Sequence, residues 1–283
     1  KCVINFETPV TNFCFSLSTL LTVKCISTKT DSQWKLVKEW QPQWKHSSNA
    51  IEVISKTPMK ELIIEYSGCV LGWCNIIEER RIALSAYSAW TIFETSSPIT
   101  FVFKIMNMED YFVIKSQYEP LNKLYIYGET DHDEGNIIAL KKGEFQVINK
   151  GNFNFYFLNK AEKVYAEQFA YYFNEIVGYY LSIFGKKEIH NLDIVSLDME
   201  KVTGAYFRKE LIVINKIPVY DNINKIREYT ISILGHELGH NWFFSADTTT
   251  WEDWVGETGA EWANLLYILS LGDIDFFERS LSS

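Results

Sequence analysis

The chain has only five cysteines, Cys2, Cys14, Cys25, Cys69 and Cys74, all within its first 75 residues and none paired as CxxC. That spacing disfavours a zinc ribbon. The odd count predicts buried thiols in a reducing compartment, with the cytoplasm favoured, and leaves one or two disulfides in a secreted form as the alternative. Long apolar runs are also missing. The best of them, Phe13 to Val23, is broken by Ser16, Ser18, Thr19 and Thr22 and falls short of the ~18–20 residues a membrane helix needs. It reads as a strand, and no membrane span is expected. Positive charge is scarce as well: 27 Lys and Arg face 36 Asp and Glu, a net charge of −9 with a pI near 5.2. Such a balance repels a phosphate backbone, so nucleic acid is not an expected partner. The sequence opens at Lys1 without the charged, apolar and small-residue order of a signal peptide, which suits a processed form.

What is abundant is apolar and aromatic material. Hydrophobic residues make up 47% of the 283 positions, with 19 Phe, 16 Tyr and 9 Trp. This fills a real core and excludes disorder. At ~150 residues per domain the length suits two domains. From residue 1 to about 150 the chain is a succession of short β-branched and aromatic runs, such as 50–54, 62–66, 100–105 and 111–114, punctuated by Ser67-Gly68, Ser97-Pro98 and Glu134-Gly135-Asn136. That pattern predicts a β-sandwich or open-sheet domain over 1–150. After one more strand, Phe153 to Leu158, Asn159 is a candidate helix cap with Glu162 at the third helical position. Tyr165, Phe169, Tyr172, Phe173, Ile176 and Tyr180 then recur at helical spacing, predicting an amphipathic helix that ends near Gly185 and turns an aromatic stripe to the core. Strands at Leu192–Leu197 and Glu210–Asn215, and helices near Ile223–Phe244 and Trp254–Leu271, complete an α+β domain over 151–283.

The segment that carries chemistry is Gly235-His236-Glu237-Leu238-Gly239-His240-Asn241-Trp242, an HExxH within the long helix. Imidazoles four residues apart are separated by about 40° modulo a turn, so both leave the same face and can grip one ion. Zinc suits them, because it accepts imidazole nitrogen readily and in catalytic sites takes three protein ligands. Glu237 lies about 100° further round than His236 and cannot join that row. Its expected place is beside a water, as general base. The other histidines, His46, His132 and His190, are scattered and read as ordinary surface or core residues.

A third ligand must come from another element. The stretch 251–262, WEDWVGETGAEW, offers Glu257 and Glu261 at i, i+4 on the next helix, and the polar residues Ser245 to Thr250 supply a turn that folds it back antiparallel. One acid can ligate while the other orients a ligand imidazole. Spacing alone leaves the choice open.

His236 to Phe243, HELGHNWF, resembles the HExxHxWF signature of the alanyl aminopeptidase family of gluzincin zinc metallopeptidases, and Trp254 to Trp262, WVGETGAEW, resembles its W-x-x-E-G-x-A-x-Y segment. Upstream, Asn191-Leu192-Asp193 and Gly204-Ala205-Tyr206-Phe207-Arg208 are similar to the family's K-L-D and substrate-binding GAMEN strands. The likeness covers 151–283 and implies a thermolysin-like zinc peptidase domain. It implies His236, His240 and Glu257 as zinc ligands, Glu237 as base, Glu261 in support and Gly204 to Phe207 against a peptide substrate. The first half resembles the family's N-terminal domain in character and position, with Ser88-Ala89-Trp90 as an echo.

Three departures from the family's pattern matter. The sixteen residues between His240 and Glu257 are fewer than usual, which keeps Glu261 as a second candidate ligand. Phe207 stands where the family's strand has an amine-binding glutamate, with Arg208 beside it. The family's oxyanion-stabilising tyrosine lies well downstream of the ligand glutamate, whereas 26 residues follow Glu257 here. A shortened C-terminal side, or Tyr267 or Tyr206 in that role, is then expected. The expected activity is zinc-dependent peptide hydrolysis of aminopeptidase type. The alternatives are an endopeptidase on the same scaffold and a catalytically weak peptide-binding protein that retains zinc.

Overall fold

The computed structural model describes residues 1–28, 32–40, 48–70, 74–85, 88, 90–92, 100–131, 136–185, 191–199, 204–208, 210–243 and 253–282. His46, His132, His190, Ala89, Ser97-Pro98, Glu134-Gly135 and the turn 245–250 lie outside them. The chain forms two compact units, Lys1–Glu144 and Phe145–Ser283. The division falls ahead of residue 150 because 146–150 is itself a strand of the second unit's sheet.

The first unit is all-β among the described residues. Its strands are β1 (Cys2–Ser18), β2 (Leu21–Thr28), β3 (Ser32–Trp40), β4 (Ser48–Gly68), β5 (Ile76–Ile77) and β6 (Arg81–Leu84), followed by β7 (Thr100–Met106), β8 (Tyr111–Val113), β9 (Ser116–Glu119), β10 (Leu124–Asp131) and β11 (Ile137–Lys141). Where the pattern predicts one sandwich or open sheet, these strands divide among three antiparallel sheets: β1-β4-β2 with β3 also on β4, β7-β10-β9, and β5-β6-β11-β8. The runs 50–54 and 62–66 are not separate strands but two parts of β4, which pairs with β1 on one side and with β3 and then β2 on the other. The run 13–23 is likewise interrupted, at Thr19-Leu20, where β1 ends and β2 begins. Alternation puts Phe13, Phe15, Leu17, Ile51, Val53, Leu62 and Ile64 into one core. None of the five cysteines is in a disulfide.

The second unit has a five-stranded sheet of β12 (Gln146–Lys150), β13 (Phe153–Phe157), β14 (Leu192–Ser196), β15 (Ala205–Arg208) and β16 (Leu211–Ile214), in the order β12-β13-β14-β16-β15. β13, β14 and β16 run parallel, while β12 and β15 are antiparallel edges. Its helices are α1 (Lys163–Phe184), α2 (Ile223–Phe243), α3 (Asp253–Ser270) and α4 (Ile274–Leu281). No helix among the described residues is long and apolar enough to cross a membrane. The aromatic stripe of α1 is buried as its period requires: Tyr165, Phe169, Phe173, Ile176 and Tyr180 join Phe153, Phe155 and Phe157 of β13 in the core. Asn159 caps not α1 itself but a 3₁₀ turn, Lys160–Glu162, accepting from Ala161 N at 3.0 Å. The short α4 begins at Asp273, whose Oδ1 accepts from Phe276 N, and Arg227 holds the same carboxylate at 3.3 Å.

What matters most for the site is the crossing of α2 and α3. A Cβ at Gly239 would come within 2.8 Å of Ala260 Cα and 2.9 Å of its carbonyl oxygen, and one at Gly235 within 2.5 Å of Asn264 Oδ1. At Gly239 the backbone of α3 settles against α2, and at Gly235 the side chain of Asn264 does. Gly239→Ala should therefore destabilise the protein by about 1–3 kcal/mol through forced separation of the helices. In Gly178→Ala, where the exposed α1 position has nothing within 4 Å, a gain of about 0.5–1 kcal/mol is expected from backbone entropy. Urea unfolding of both variants checks the opposite signs.

Candidate metal centre

Helical geometry explains why the histidines are available at all. On α2 the row Gly235/Gly239 faces α3, the row His236/His240 lies about 100° round, and Glu237 about 100° further still. Closeness at the glycine row therefore brings the neighbouring row within reach of the acids on α3. Glu257 Oε2 lies 3.2 Å from His236 Nε2, Glu257 Oε1 lies 3.7 Å from His240 Nε2, and the two rings stand 4.9 Å apart and nearly perpendicular. Glu261 Oε2 takes the other side of the first imidazole, 3.0 Å from His236 Nδ1. Asn264 Nδ2 donates to Glu261 Oε1 at 3.4 Å.

The aromatic end of the motif anchors the helix rather than the site. Trp242 packs edge-on against Tyr180 at 5.4 Å, Phe243 against Phe184 at 5.3 Å, and the Tyr180 hydroxyl donates to the Gly235 carbonyl at 2.9 Å.

One potential ligand atom from each of His236, His240 and Glu257 lies within 4.8 Å of the other two. A tetrahedral zinc with bonds of ~2.0–2.1 Å separates its ligand atoms by about 3.3–3.4 Å; Glu257 Oε2 lies 3.2 Å from His236 Nε2, and its other oxygen lies 3.7 Å from His240 Nε2. The donor set, two imidazoles and a carboxylate, fits that ion. Glu261 is placed to accept from Nδ1–H of His236, which would leave the Nε2 lone pair to a metal if one were bound. Glu237 is 5% exposed, and its Oε2 is buried without a hydrogen-bond partner. A carboxylate oxygen left so is costly unless a ligand or water meets it.

Electrostatics follow from this crowding. Burial pushes the Glu237 carboxyl up to about 7, opposed by the charges of His236 and Arg208. At His236 burial works downward but loses to the hydrogen bonds its ring donates to Glu257 and Glu261, leaving the imidazole at about 10. Burial lowers His240 to about 4. The hydrogen bond from His236 holds Glu257 below the usual carboxylate range.

The structure brings together His236, Glu237, His240, Glu257 and Glu261. Of the segment expected to meet substrate, Gly204 to Phe207, Ala205 to Phe207 lie in β15 and Gly204 just precedes it; α2 packs against this strand, whose outer edge is open among the described strands. Phe207 itself is buried in the core with Ile212 and Ile214, so this position can meet a ligand by its backbone but not by its side chain. Tyr206 is buried too. Tyr267 lies in the core with its ring 5.5 Å from Tyr179, and Glu175, Tyr172 and Arg227 are the charged and polar groups near its hydroxyl. Two features were not read from the sequence: the glycine row, visible there as two glycines at the histidines' own spacing, and the cleft of about 390 Å³ lined by His236, Glu257, Thr258, Glu261, Trp262 and Leu265, for which no sequence signal exists.

No protein-family model matches the chain, and no curated protein matches it. Solved structures do. The chain superposes on leukotriene A4 hydrolase from Saccharomyces cerevisiae with a TM-score of 0.64 at 12% identity, covering 95% of this chain and 44% of that one. A second native structure of the yeast protein gives 0.63 at 14% identity, over 91% and 43%. Its complex with bestatin gives 0.64 at 14% identity, over 92% and 43%. At these identities the likeness is one of fold: the chain has the α+β fold of part of that hydrolase, and it spans less than half of the length of the proteins it matches.

The bridging of His236 by two acids has a consequence for metal-free protein. A histidine raised from 6.5 to about 10 contributes stability that is complete below pH 6.5 and lost as pH rises through about 10. Urea unfolding of chelator-treated protein should give a stability that declines across that window, and His236→Gln should flatten the decline. An identical decline in both proteins would contradict the bridging geometry.

Proposed function

We propose that the chain is a zinc-dependent peptidase in which His236, His240 and Glu257 hold the metal, Glu261 orients His236 and Glu237 is the general base. The observation that carries this reading is the convergence of two imidazole nitrogens and a carboxylate within 4.8 Å next to a buried glutamate oxygen that has no hydrogen-bond partner. The fold it shares with a hydrolase supports the same class of chemistry.

Zinc bound there would supply Lewis-acid polarisation of a carbonyl and a lowered pKa for water. The protein's own groups do the rest. Glu237, raised toward neutrality by burial, is suited to take a proton from water and return it to a leaving amine, since a base near the working pH serves both directions. The open edge of β15 offers backbone N–H and C=O groups to an extended peptide, which binds substrate without reading its side chains. Glu261 keeps Nδ1–H of His236 occupied so that Nε2 stays a lone-pair donor.

A second reading, cleavage within a peptide instead of at a free amino end, is favoured by one observation. The position matching the family's amine-binding glutamate is Phe207, buried at 6% exposure, so β15 offers no acid there to an ammonium group. Rates on a free-amine peptide and its N-acetylated counterpart separate the two.

Glu237→Gln should retain zinc and lose about 10²–10⁴-fold in peptide hydrolysis; equal rates in both proteins would refute the assignment. Competition with a chromophoric chelator should rank the acids. Glu261→Gln is expected to weaken zinc by about 10–100-fold, as loss of an orienting partner does, and Glu257→Gln by more, because a ligand is lost.

A further inference from the structure

Asn264 of α3 is an amide in apolar company: it is 2% exposed, and Ala260 and Ile268, one turn to either side, are fully buried. It follows Glu257 by seven residues and Glu261 by three, so the three side chains leave one face of the helix. Gly235 of α2, the residue before His236, makes room for it. A Cβ there would stand 2.5 Å from Asn264 Oδ1 and 3.3 Å from the Tyr180 hydroxyl. Among the described residues Asn264 makes one side-chain hydrogen bond, from Nδ2 to Glu261 Oε1 at 3.4 Å, and its Oδ1 is buried with none. A buried amide so sparsely paired costs stability, and an apolar side chain of like size would fill the space without that cost. What the amide alone supplies is the N–H turned toward Glu261.

Glu261 gains a second anchor from it. The carboxylate-bearing side chain is 43% exposed, and a glutamate in contact with solvent has several rotamers open to it. Here its two oxygens are held by different partners, Oε2 by His236 Nδ1 at 3.0 Å and Oε1 by Asn264. The line Asn264–Glu261–His236 thus runs from the contact between the helices to the far nitrogen of a candidate ligand ring. Hydrogen-bond partners behind a ligand set its orientation, and that precision is lost when they are themselves unsupported.

We propose that Asn264 is a positioning residue for the metal centre: its amide N–H fixes the Glu261 carboxylate, and through it the ring of His236, in the orientation that grips a divalent cation. This rests on the proposed zinc site, and on neither substrate nor turnover.

Zinc affinity of the full chain, measured by competition with a chromophoric chelator, tests it. Asn264→Ala removes the amide, and Asn264→Leu returns bulk beside Gly235 without the donor. Both should weaken zinc by about three- to tenfold, less than the loss of a partner that touches the ligand ring itself. Circular dichroism of the metal-free variants establishes that each is folded; should Asn264→Ala not fold, Asn264→Leu and the next variant carry the comparison. That variant exchanges the polarity of the pair: in Glu261→Gln/Asn264→Asp the glutamine oxygen can still accept from His236 Nδ1–H while its NH₂ group donates to the aspartate. The double variant should bind zinc about threefold or more tightly than Glu261→Gln alone, whereas two residues with separate structural roles would have their losses multiply. Unchanged affinity in Asn264→Leu, recovery of the Asn264→Ala loss by Asn264→Leu, or affinity in the exchanged pair no higher than in Glu261→Gln would overturn the inference. Hydrolysis is scored separately: zinc held in this manner by a chain that cleaves no peptide removes the peptidase reading and leaves the role of Asn264 standing, while an unsubstituted chain that binds no zinc removes both.

Discussion

The structure of the second unit depends on how closely two helices can approach. Gly235 and Gly239 leave one row of α2 without side chains, and Ala260 and Asn264 of α3 lie against it at distances where any Cβ would collide. Close packing of this kind leaves little room for adjustment, so the register between the helices is set within a fraction of an ångström. That register determines that Glu257 meets both histidines and Glu261 meets one of them from behind. The histidines and the glycines share one i, i+4 period, and the same turn of sequence both makes the contact and benefits from it.

Around that crossing ionisable groups are crowded together. Glu237 is buried with an oxygen that has no hydrogen-bond partner, and His236 sits between two acids. A buried carboxylate oxygen of this kind costs stability. The surrounding support is apolar and rigid: Tyr180, Phe184, Trp242 and Phe243 lock α1 to the end of α2, which keeps the imidazoles from relaxing away from the carboxylates.

Much of this was legible in the sequence because it is local. The aromatic stripe of α1, the bounds of α2 and α3 to within a residue or two, and the shared face of His236 and His240 all follow from a 3.6-residue period. The pairing of Glu257 with Glu261 follows from the same rule. What was not legible depends on partners distant in the chain. The runs at 50–54 and 62–66 look separate because the sequence between them is polar, yet β1 pairs with both parts of β4 and holds them as one strand. Phe207 occupies a motif position associated with substrate, but the alternation of β15 turns it into the core beside Ile212. α4 is too short for periodicity to reveal, and its start depends on Asp273 being held by Arg227, 46 residues earlier.

The central claim is that three side chains from two helices converge on one cation. Diffraction from zinc-soaked crystals, recorded on both sides of the zinc absorption edge, tests it directly. The account predicts one anomalous peak per chain, bonded to His236, His240 and Glu257 at ~2.0–2.2 Å, with Glu261 still on the far nitrogen of His236. A peak elsewhere, or no peak with the three side chains turned to separate partners, would contradict it.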